Sequence, residues 1–323
     1  MMIVKGVAIY LLVSSFSLTI ASVAVAQEKV PGSGLRISPT RTELTLDRGK
    51  SASIKITLKN VSGGDVIAKA DVNDFEAEGE TGDPKLLVNQ GDKRTPTSVA
   101  PFLSDVKDVS LKTDESKEIS IPVNIPSNTA SGAYYGVVRY SAIPATGQNE
   151  PGKVSLTASV ATLVLIEVPG NITQQIQLSD IIVYQRNKEA TFFPKPPTDI
   201  GIRIKNTGNS FSKPFGRVVI TNSFTNKEVY SYEMSNTTPR NNVLPGTTRV
   251  FKDALKNVSK PGRYTITAGI SHGSGGEVIT KRVSFWYIPG WLMFVLVVIV
   301  IGLLVSVFYL VRKLKKNNKR IKR

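Results

Sequence analysis

An uncharged run of 24 residues near the end of the chain restricts its folding more than any other feature. The run extends from Ile288 to Val311, and about 20 apolar residues are enough for a helix to cross the hydrocarbon core of a bilayer. Aromatic residues are enriched at both interfaces of such helices. Four of them lie at or near the two ends of this run: Trp286, Tyr287, Trp291 and Tyr309. We predict a transmembrane helix over 288–311, with these aromatic side chains at the membrane interfaces.

The residues that follow, 312–323, form a basic tail. They include eight lysines and arginines, beginning with Arg312 and Lys313, and no acidic residue. Because cationic flanks of a span stay in the cytoplasm, we predict a single-pass protein of the cell membrane with an extracytoplasmic body and a cytoplasmic C-terminus. A basic tail beside a span favours anionic lipid headgroups as its contact.

The rest of the chain is only mildly basic. The sequence has 41 basic and 25 acidic residues, and without Lys5 and the eight tail cations 32 basic residues remain, an excess of 7. Nucleic-acid binding usually requires a much more strongly basic surface. We therefore predict no nucleic-acid partner.

The first 26 residues have the layout of a secretory signal peptide. Lys5 precedes an apolar stretch from Gly6 to Ile20, and small residues stand at positions 24 and 26. We predict a signal peptide over 1–26. A retained membrane helix is the alternative, although the apolar stretch is short for a span.

Short alternating segments dominate residues 35–285. Val, Ile, Thr and Tyr alternate with polar residues, and Gly, Pro, Asn and Asp bound each stretch, as in "SASIKITLKN" and "RYTITAGI". The 251 residues of this region suffice for two domains. We predict an all-β fold with two tandem immunoglobulin-like β-sandwiches, over 35–169 and 170–285, between the signal peptide and the transmembrane α-helix.

A loose internal repeat favours two domains of the same kind. "ITLKN" at 56–60 and "IRIKN" at 202–206 each end in Lys-Asn and precede a glycine-containing turn. Later in each half a proline is followed by Gly-x-Tyr, with the tyrosines at Tyr134 and Tyr264. A tyrosine near a sandwich corner buries its ring and bonds its hydroxyl to the backbone. We therefore predict a structural role for both tyrosines.

The first half is longer than the second, and residues 76–100 are the predicted insertion. The adjoining Asp71 and Asn73 have the spacing that begins a calcium loop, but Glu76 and Gly82 stand where an EF-hand needs glycine and glutamate. The sequence leaves open whether this insertion binds calcium, and we predict no metal site.

Catalytic side chains are scarce. The chain has no cysteine and one histidine, His272, which lies in a glycine-rich hairpin. It can therefore form neither a thiol nucleophile, nor a histidine-containing triad, nor a zinc site of the usual ligands. We predict no enzymatic activity, catalytic residue or cofactor. A two-carboxylate glycosidase needs only Asp and Glu, and Glu76 with Glu78 would supply them, although a solvated loop explains these residues more simply.

Several segments resemble one group of bacterial surface proteins. They are "LRISPTRTELTLDRGKSASIKITLKN", "VNIPSNTASGAYYGVV", "IKNTGNSFSKPFGRVVI", "VLPGTTRVF" and "PGRYTITAGI" with "FWYIP". Together they are similar to the membrane-anchored proteins found with WxL-domain proteins. The resemblance implies a peptidoglycan-binding immunoglobulin-like domain, a second such domain that binds a partner protein, one transmembrane helix and a basic tail. It implies no catalytic residue.

Aromatic and cationic side chains that a sandwich core does not need are the candidate ligand contacts. They lie after the first Gly-x-Tyr, in the turn-rich segment 183–199 and in the loop 237–242. We predict the following as ligand-binding residues: Tyr135, Arg139, Tyr184, Arg186 and Arg240.

These features predict a non-catalytic, membrane-anchored surface protein. It would bind cell-wall polymer (peptidoglycan), another surface protein, or both, as an adhesion or scaffolding module. An assembly chaperone for exported proteins is the alternative, and the carboxylate-dependent envelope glycosidase is a more distant one. The sequence does not indicate the oligomeric state.

Overall fold

A computed structural model describes residues 34–88, 94–145, 158–273 and 277–321 of the chain. The predicted signal peptide lies outside these residues. Eighteen β-strands and one C-terminal α-helix form the described part, which confirms the prediction of an all-β body followed by an apolar helix. The strands belong to two pairs of packed sheets, which we call the N-terminal and the C-terminal sheet pair.

The N-terminal sheet pair consists of a three-stranded sheet, β1-β3-β7, and a larger sheet, β2-β9-β8-β4-β5, in which β6 also pairs with β4. In β3 alternate side chains point inward, and Ile54, Ile56 and Leu58 are buried in the core between the sheets. The strand bounds are β1 Leu35–Ser38, β2 Arg41–Thr45, β3 Ser51–Asn60, β4 Val66–Ala77, β5 Pro84–Leu87, β6 Val109–Leu111, β7 Ser116–Asn124, β8 Gly132–Pro144 and β9 Ser159–Val168.

The C-terminal sheet pair has a four-stranded sheet, β11-β10-β13-β16, and a five-stranded sheet, β12-β18-β17-β14-β15. Its core contains the alternating residues of β13, namely Ile200, Ile202 and Ile204. The strand bounds are β10 Ile176–Gln185, β11 Lys188–Glu189, β12 Phe192–Phe193, β13 Asp199–Asn206, β14 Phe215–Asn222, β15 Glu228–Met234, β16 Thr248–Ala254, β17 Gly262–Ser271 and β18 Val278–Tyr287.

The internal repeat predicts an equivalent hydrogen bond from each Gly-x-Tyr tyrosine to the backbone, and the structure has both bonds. Tyr134 donates its hydroxyl hydrogen to the carbonyl of Ala130 (3.0 Å), and Tyr264 donates to that of Lys260 (2.6 Å). Both acceptors lie four residues before the tyrosine. The predicted structural role of the Gly-x-Tyr tyrosines is therefore confirmed.

Part of the predicted insertion 76–100 forms a β-hairpin. The end of β4 pairs with β5, with Phe75 opposite Leu86 and Glu76 opposite Lys85. The tip of this hairpin reaches the C-terminal sheet pair, where the carbonyl of Glu80 accepts a hydrogen bond from Val250. The insertion therefore contributes to the contact between the sheet pairs.

The helix α1 spans Gly290–Ile321, and two residues separate its start from the end of β18 at Tyr287. Its stretch from Gly290 to Lys313 has a mean hydropathy of 3.2 and is long and apolar enough, by length and composition, to cross a membrane. The start lies two residues after the predicted one, since Pro289 precedes the first helical residue. The side of the membrane on which each end lies stays a prediction.

Candidate binding site

The two sheet pairs meet across an apolar contact. Phe75 and Leu165 of the N-terminal pair and Leu244 of the C-terminal pair are buried there. The ring of Tyr135 lies between those of Phe75 and Phe211, at centroid distances of 5.1 and 6.2 Å. Removal of these rings from water favours one fixed arrangement of the two sheet pairs. We call this contact the junction.

A partly exposed charge cluster borders the junction. The carboxylate of Glu43 accepts hydrogen bonds from Lys213 and from the side-chain amide of Asn242 (3.0 Å). Arg41 lies 3.1 Å from the same carboxylate. Burial alone would raise the pKa of Glu43, but the hydrogen bonds and charges of Lys213 and Arg41 outweigh it and lower that pKa below its ordinary value of 4.5.

A groove runs between the outer strands of the C-terminal sheet pair. β15 ends the five-stranded sheet and β16 ends the four-stranded sheet. These two edge strands lie on the same side of the sheet pair, because β10 packs against β17 and β18 on the opposite side. The groove has a volume of about 690 Å³ and is lined by β16, by the end of β15 and its following turn, and by the hairpin tip at Glu80 and Thr81. We call this groove the open seam.

Two stacked tyrosines of β15 pack against the core beside the open seam. The rings of Tyr230 and Tyr232 are 5.9 Å apart. The Tyr232 hydroxyl is buried, and it has no hydrogen-bond partner among the described residues. Burial and the nearby Asp253 carboxylate raise the pKa of that hydroxyl, and burial also raises the pKa of Asp253. A buried hydroxyl without a partner is unfavourable, and this one does not line the groove itself.

The outer edge of β16 already forms one backbone hydrogen bond with another segment of the chain. The Val250 N–H donates to the carbonyl of Glu80 at 2.7 Å, away from β13. Alternate residues of an antiparallel strand direct their backbone groups to the same side, so the N–H groups of Lys252 and Ala254 also point away from β13. Within the described part of the chain, neither makes a backbone hydrogen bond on that side.

Two of the predicted ligand contacts have structural partners in the N-terminal sheet pair. Tyr135 belongs to the junction, as described above. Arg139 donates from Nη2 to Asp71 (2.7 Å) and from Nε to Asn73 (3.0 Å) across the adjacent strand β4. These contacts give both side chains a structural role.

The other three lie in separate places. Tyr184 lines the open seam, and Lys252 lies 4.9 Å above its ring. Arg186 is exposed in the turn after β10. The Arg240 guanidinium lies 4.1 Å above the Phe215 ring. The structure therefore does not bring the five predicted residues into one site.

No metal centre is found in the part of the chain that the structure describes, where no group of three or more His, Asp or Glu side chains lies close enough to hold an ion. Two of the acidic residues near the insertion have cationic partners instead. Asp71 pairs with Arg139 at 2.7 Å, and Glu76 pairs with Lys85 at 3.0 Å. His272 lies between β17 and β18, half-buried.

Of the residues that line the open seam, only Tyr184 was among the predicted contacts. Glu233, Lys252 and Asp253 lie in alternating segments that indicate strands but do not indicate which strands end a sheet. The one sequence signal is the polar alternation of "TRVFKDA", which has charged residues on both faces of β16. Charged side chains are common on edge strands, so this pattern could have pointed to the edge.

Comparisons with known proteins give only distant likenesses. No protein-family model and no curated protein matches the sequence. A chain of a chaperone–tip adhesin complex in CFA/I fimbriae biogenesis is similar at 14% identity, with a TM-score of 0.40, covering 80% of this chain and 100% of that one. The E. coli chaperone DraB is similar at 13% identity, with a TM-score of 0.33, covering 79% and 98%. A chain of the Salmonella enterica SafA pilin–SafB chaperone complex is similar at 12% identity, with a TM-score of 0.32, covering 77% and 95%.

Proposed function

We propose that the protein is a non-catalytic, membrane-anchored module of two immunoglobulin-like sandwiches that binds an extended segment of another exported protein. The segment would add as a strand at the open seam, and the protein would act as a scaffold or an assembly chaperone. The observation that carries this proposal is the hydrogen bond from Val250 N–H to the Glu80 carbonyl. It shows a backbone partner on the outer edge of β16.

The rest of that edge suits an added strand. An exposed strand edge offers a row of N–H and C=O groups that pair with another extended chain. β16 has seven residues, from Thr248 to Ala254, which is an ordinary strand length. A segment paired beyond Val250 would meet the backbone of Lys252 and Ala254 and would lie along the groove that β16 lines.

The aromatic contacts favour a polypeptide over a glycan. A sugar ring stacks on an open aromatic face, but the three rings nearest the predicted ligand residues are covered. Tyr135 lies between two other rings, Lys252 lies above Tyr184, and Arg240 lies above Phe215. The open backbone edge is then the more specific recognition feature of this region.

Two variants at one position test the proposal. Lys252→Pro removes an outward N–H and places a ring on the edge, without loss of a bond to β13. Lys252→Ala removes the same side chain and keeps the N–H. We expect the proline variant, isolated in mild detergent from its native membrane, to retain at least about tenfold less of its bound protein. The alanine variant should retain it as the unchanged chain does.

Unchanged retention by the proline variant would contradict strand addition at β16. Equal loss in both variants would assign the binding to the lysine side chain and would also contradict it.

A further inference from the structure

One end of the C-terminal sheet pair is held against the membrane by the chain itself. β18 ends at Tyr287, and α1 begins at Gly290. The Ile288 N–H donates to the Phe193 carbonyl at 3.0 Å, so the connection stays bound to the sheet. Two extended residues reach at most about 7 Å. Whichever way the helix crosses the bilayer, this end of the sheet pair therefore faces its surface.

Strand register identifies the loops at this end. Tyr287 pairs with Gly262 and Tyr264 pairs with Asn222, while Asp199 pairs with Ala254. The chain turns just beyond these positions. Four connections therefore lie at this end, which we call the membrane-end loops: residues 186–187, 194–198, 223–227 and 255–261.

The membrane-end loops carry positive charge only. None of their residues is acidic, and their cationic side chains are all exposed. These side chains are Arg186, Lys195, Lys227, Lys256 and Lys260. Basic residues near an anionic leaflet strengthen membrane attachment, so the charge of these loops complements that of anionic headgroups.

Exposed aromatic rings accompany these cations. Phe224, in the loop between β14 and β15, is 69% exposed, and its ring lies 6.0 Å from that of Trp286. Phe192 is 40% exposed and pairs with Trp286 between β12 and β18. Exposed rings are unfavourable in water and favourable at the headgroup level of a bilayer. They lie at the same end as the start of the helix.

We propose that the membrane-end loops are a second membrane-binding surface, separate from the basic tail. The cations of these loops contact anionic lipid headgroups, and Phe224 with Trp286 enters the interfacial layer. The ectodomain then rests on the bilayer in one orientation instead of swinging on its two-residue connection. This contact does not depend on strand addition at the open seam.

The absence of cysteine from the chain allows a single reporter to be placed. Thr225→Cys puts an environment-sensitive fluorophore beside Phe224. Thr280→Cys puts the fluorophore at an exposed position of β18. This position lies seven residues before Tyr287 and therefore about 23 Å from Tyr287 along the strand. The full-length chain is inserted into nanodiscs of phosphatidylcholine, with or without phosphatidylglycerol, and acrylamide quenching of the label is measured.

We expect the label at 225 to be blue-shifted and protected from acrylamide in the anionic discs, and the label at 280 to stay accessible. Lys227→Glu, Lys256→Glu and Lys260→Glu should each lower the ratio of docked to undocked ectodomain by at least about fivefold. Matched reversals on the N-terminal sheet pair, at the exposed Lys50, Lys112 and Lys117, should leave that ratio unchanged.

Two results would overturn the proposal. One is equal quenching of the labels at 225 and 280 in both kinds of disc. The other is protection at 225 that survives reversal of all three lysines.

If the chain with the three charge reversals does not fold, a salt titration of the chain without them gives the same test. Salt screens the headgroup charge, so it must expose the label at 225. Protection that is insensitive to salt would contradict the proposal.

Discussion

At the residue scale, two buried asparagines serve the same purpose in the two sheet pairs. The side-chain amide of Asn60 donates to the carbonyls of Gly64 and Lys112, at 2.8 and 3.0 Å. That of Asn206 donates to the carbonyls of Ser210 and Val243, both at 2.8 Å. In each case the amide oxygen accepts an N–H from two residues later. One side chain thus satisfies the buried backbone groups of a whole turn.

Replacement of Asn206 by alanine should therefore be costly. Asn206 is completely buried, and the substitution leaves two carbonyls and one N–H without their side-chain partner. We expect the free energy of unfolding of the C-terminal sheet pair to fall by about 2–4 kcal/mol. Urea titration of the detergent-solubilised chain, followed by the fluorescence of Trp286 in a Trp291→Phe background, measures this change.

The exposed Asn236 provides the matched control, and its replacement by alanine should change the urea midpoint little. A wild-type midpoint in the Asn206→Ala variant would show that the asparagine does not support the turn.

At the scale of elements, the junction combines an apolar contact with one depressed carboxyl pKa. The folded-state pKa of Glu43 is lower than its ordinary value of 4.5. Its stabilising contribution is therefore present above about pH 4.5 and is lost as the pH falls through the folded pKa. Acid should loosen the contact between the sheet pairs before it affects their cores.

A Glu43→Gln variant tests this linkage. We expect it to unfold at lower urea concentration than the unchanged chain at pH 7, and the difference to shrink as the pH falls below about 4.5. Glu118→Gln is the control, because the exposed pair of Glu118 with Lys55 contributes little to stability. A difference between Glu43→Gln and the unchanged chain that is the same at pH 7 and pH 3 would contradict the role assigned to Glu43.

The same scale shows what sequence patterns can and cannot predict here. Alternation indicates strands, and the Lys-Asn and Gly-x-Tyr repeats indicate their turns, because both depend on neighbouring residues. The position of β15 and β16 at the sheet edges depends on pairing between distant segments, which one sequence does not reveal. The role of Tyr135 depends in the same way on Phe75 and Phe211, 60 and 76 residues away. For this reason the strands were predictable and the open seam was not.

At the scale of the whole molecule, anchoring and recognition lie at different places. In the proposed arrangement the helix crosses the bilayer and the membrane-end loops face it, the open seam lies along the side of the C-terminal sheet pair, and the N-terminal sheet pair lies beyond the junction. An anchored protein meets a second membrane-bound partner at raised effective concentration, so a weak strand contact can suffice. Binding of wall polymer by the N-terminal domain, which the resemblance implies, stays a prediction, as does the absence of enzymatic activity.

Backbone amide exchange along β16 tests the central claim most directly. The full chain would be isolated in mild detergent from its native membrane with its bound protein, and compared with the same chain produced alone in a foreign host. Strand addition predicts that the Lys252 and Ala254 amides exchange rapidly in the chain alone and become protected in the complex, while the Val250 amide is protected in both. Rapid exchange of Lys252 and Ala254 in the complex would contradict the account, because a strand added at this edge must bond to those two groups.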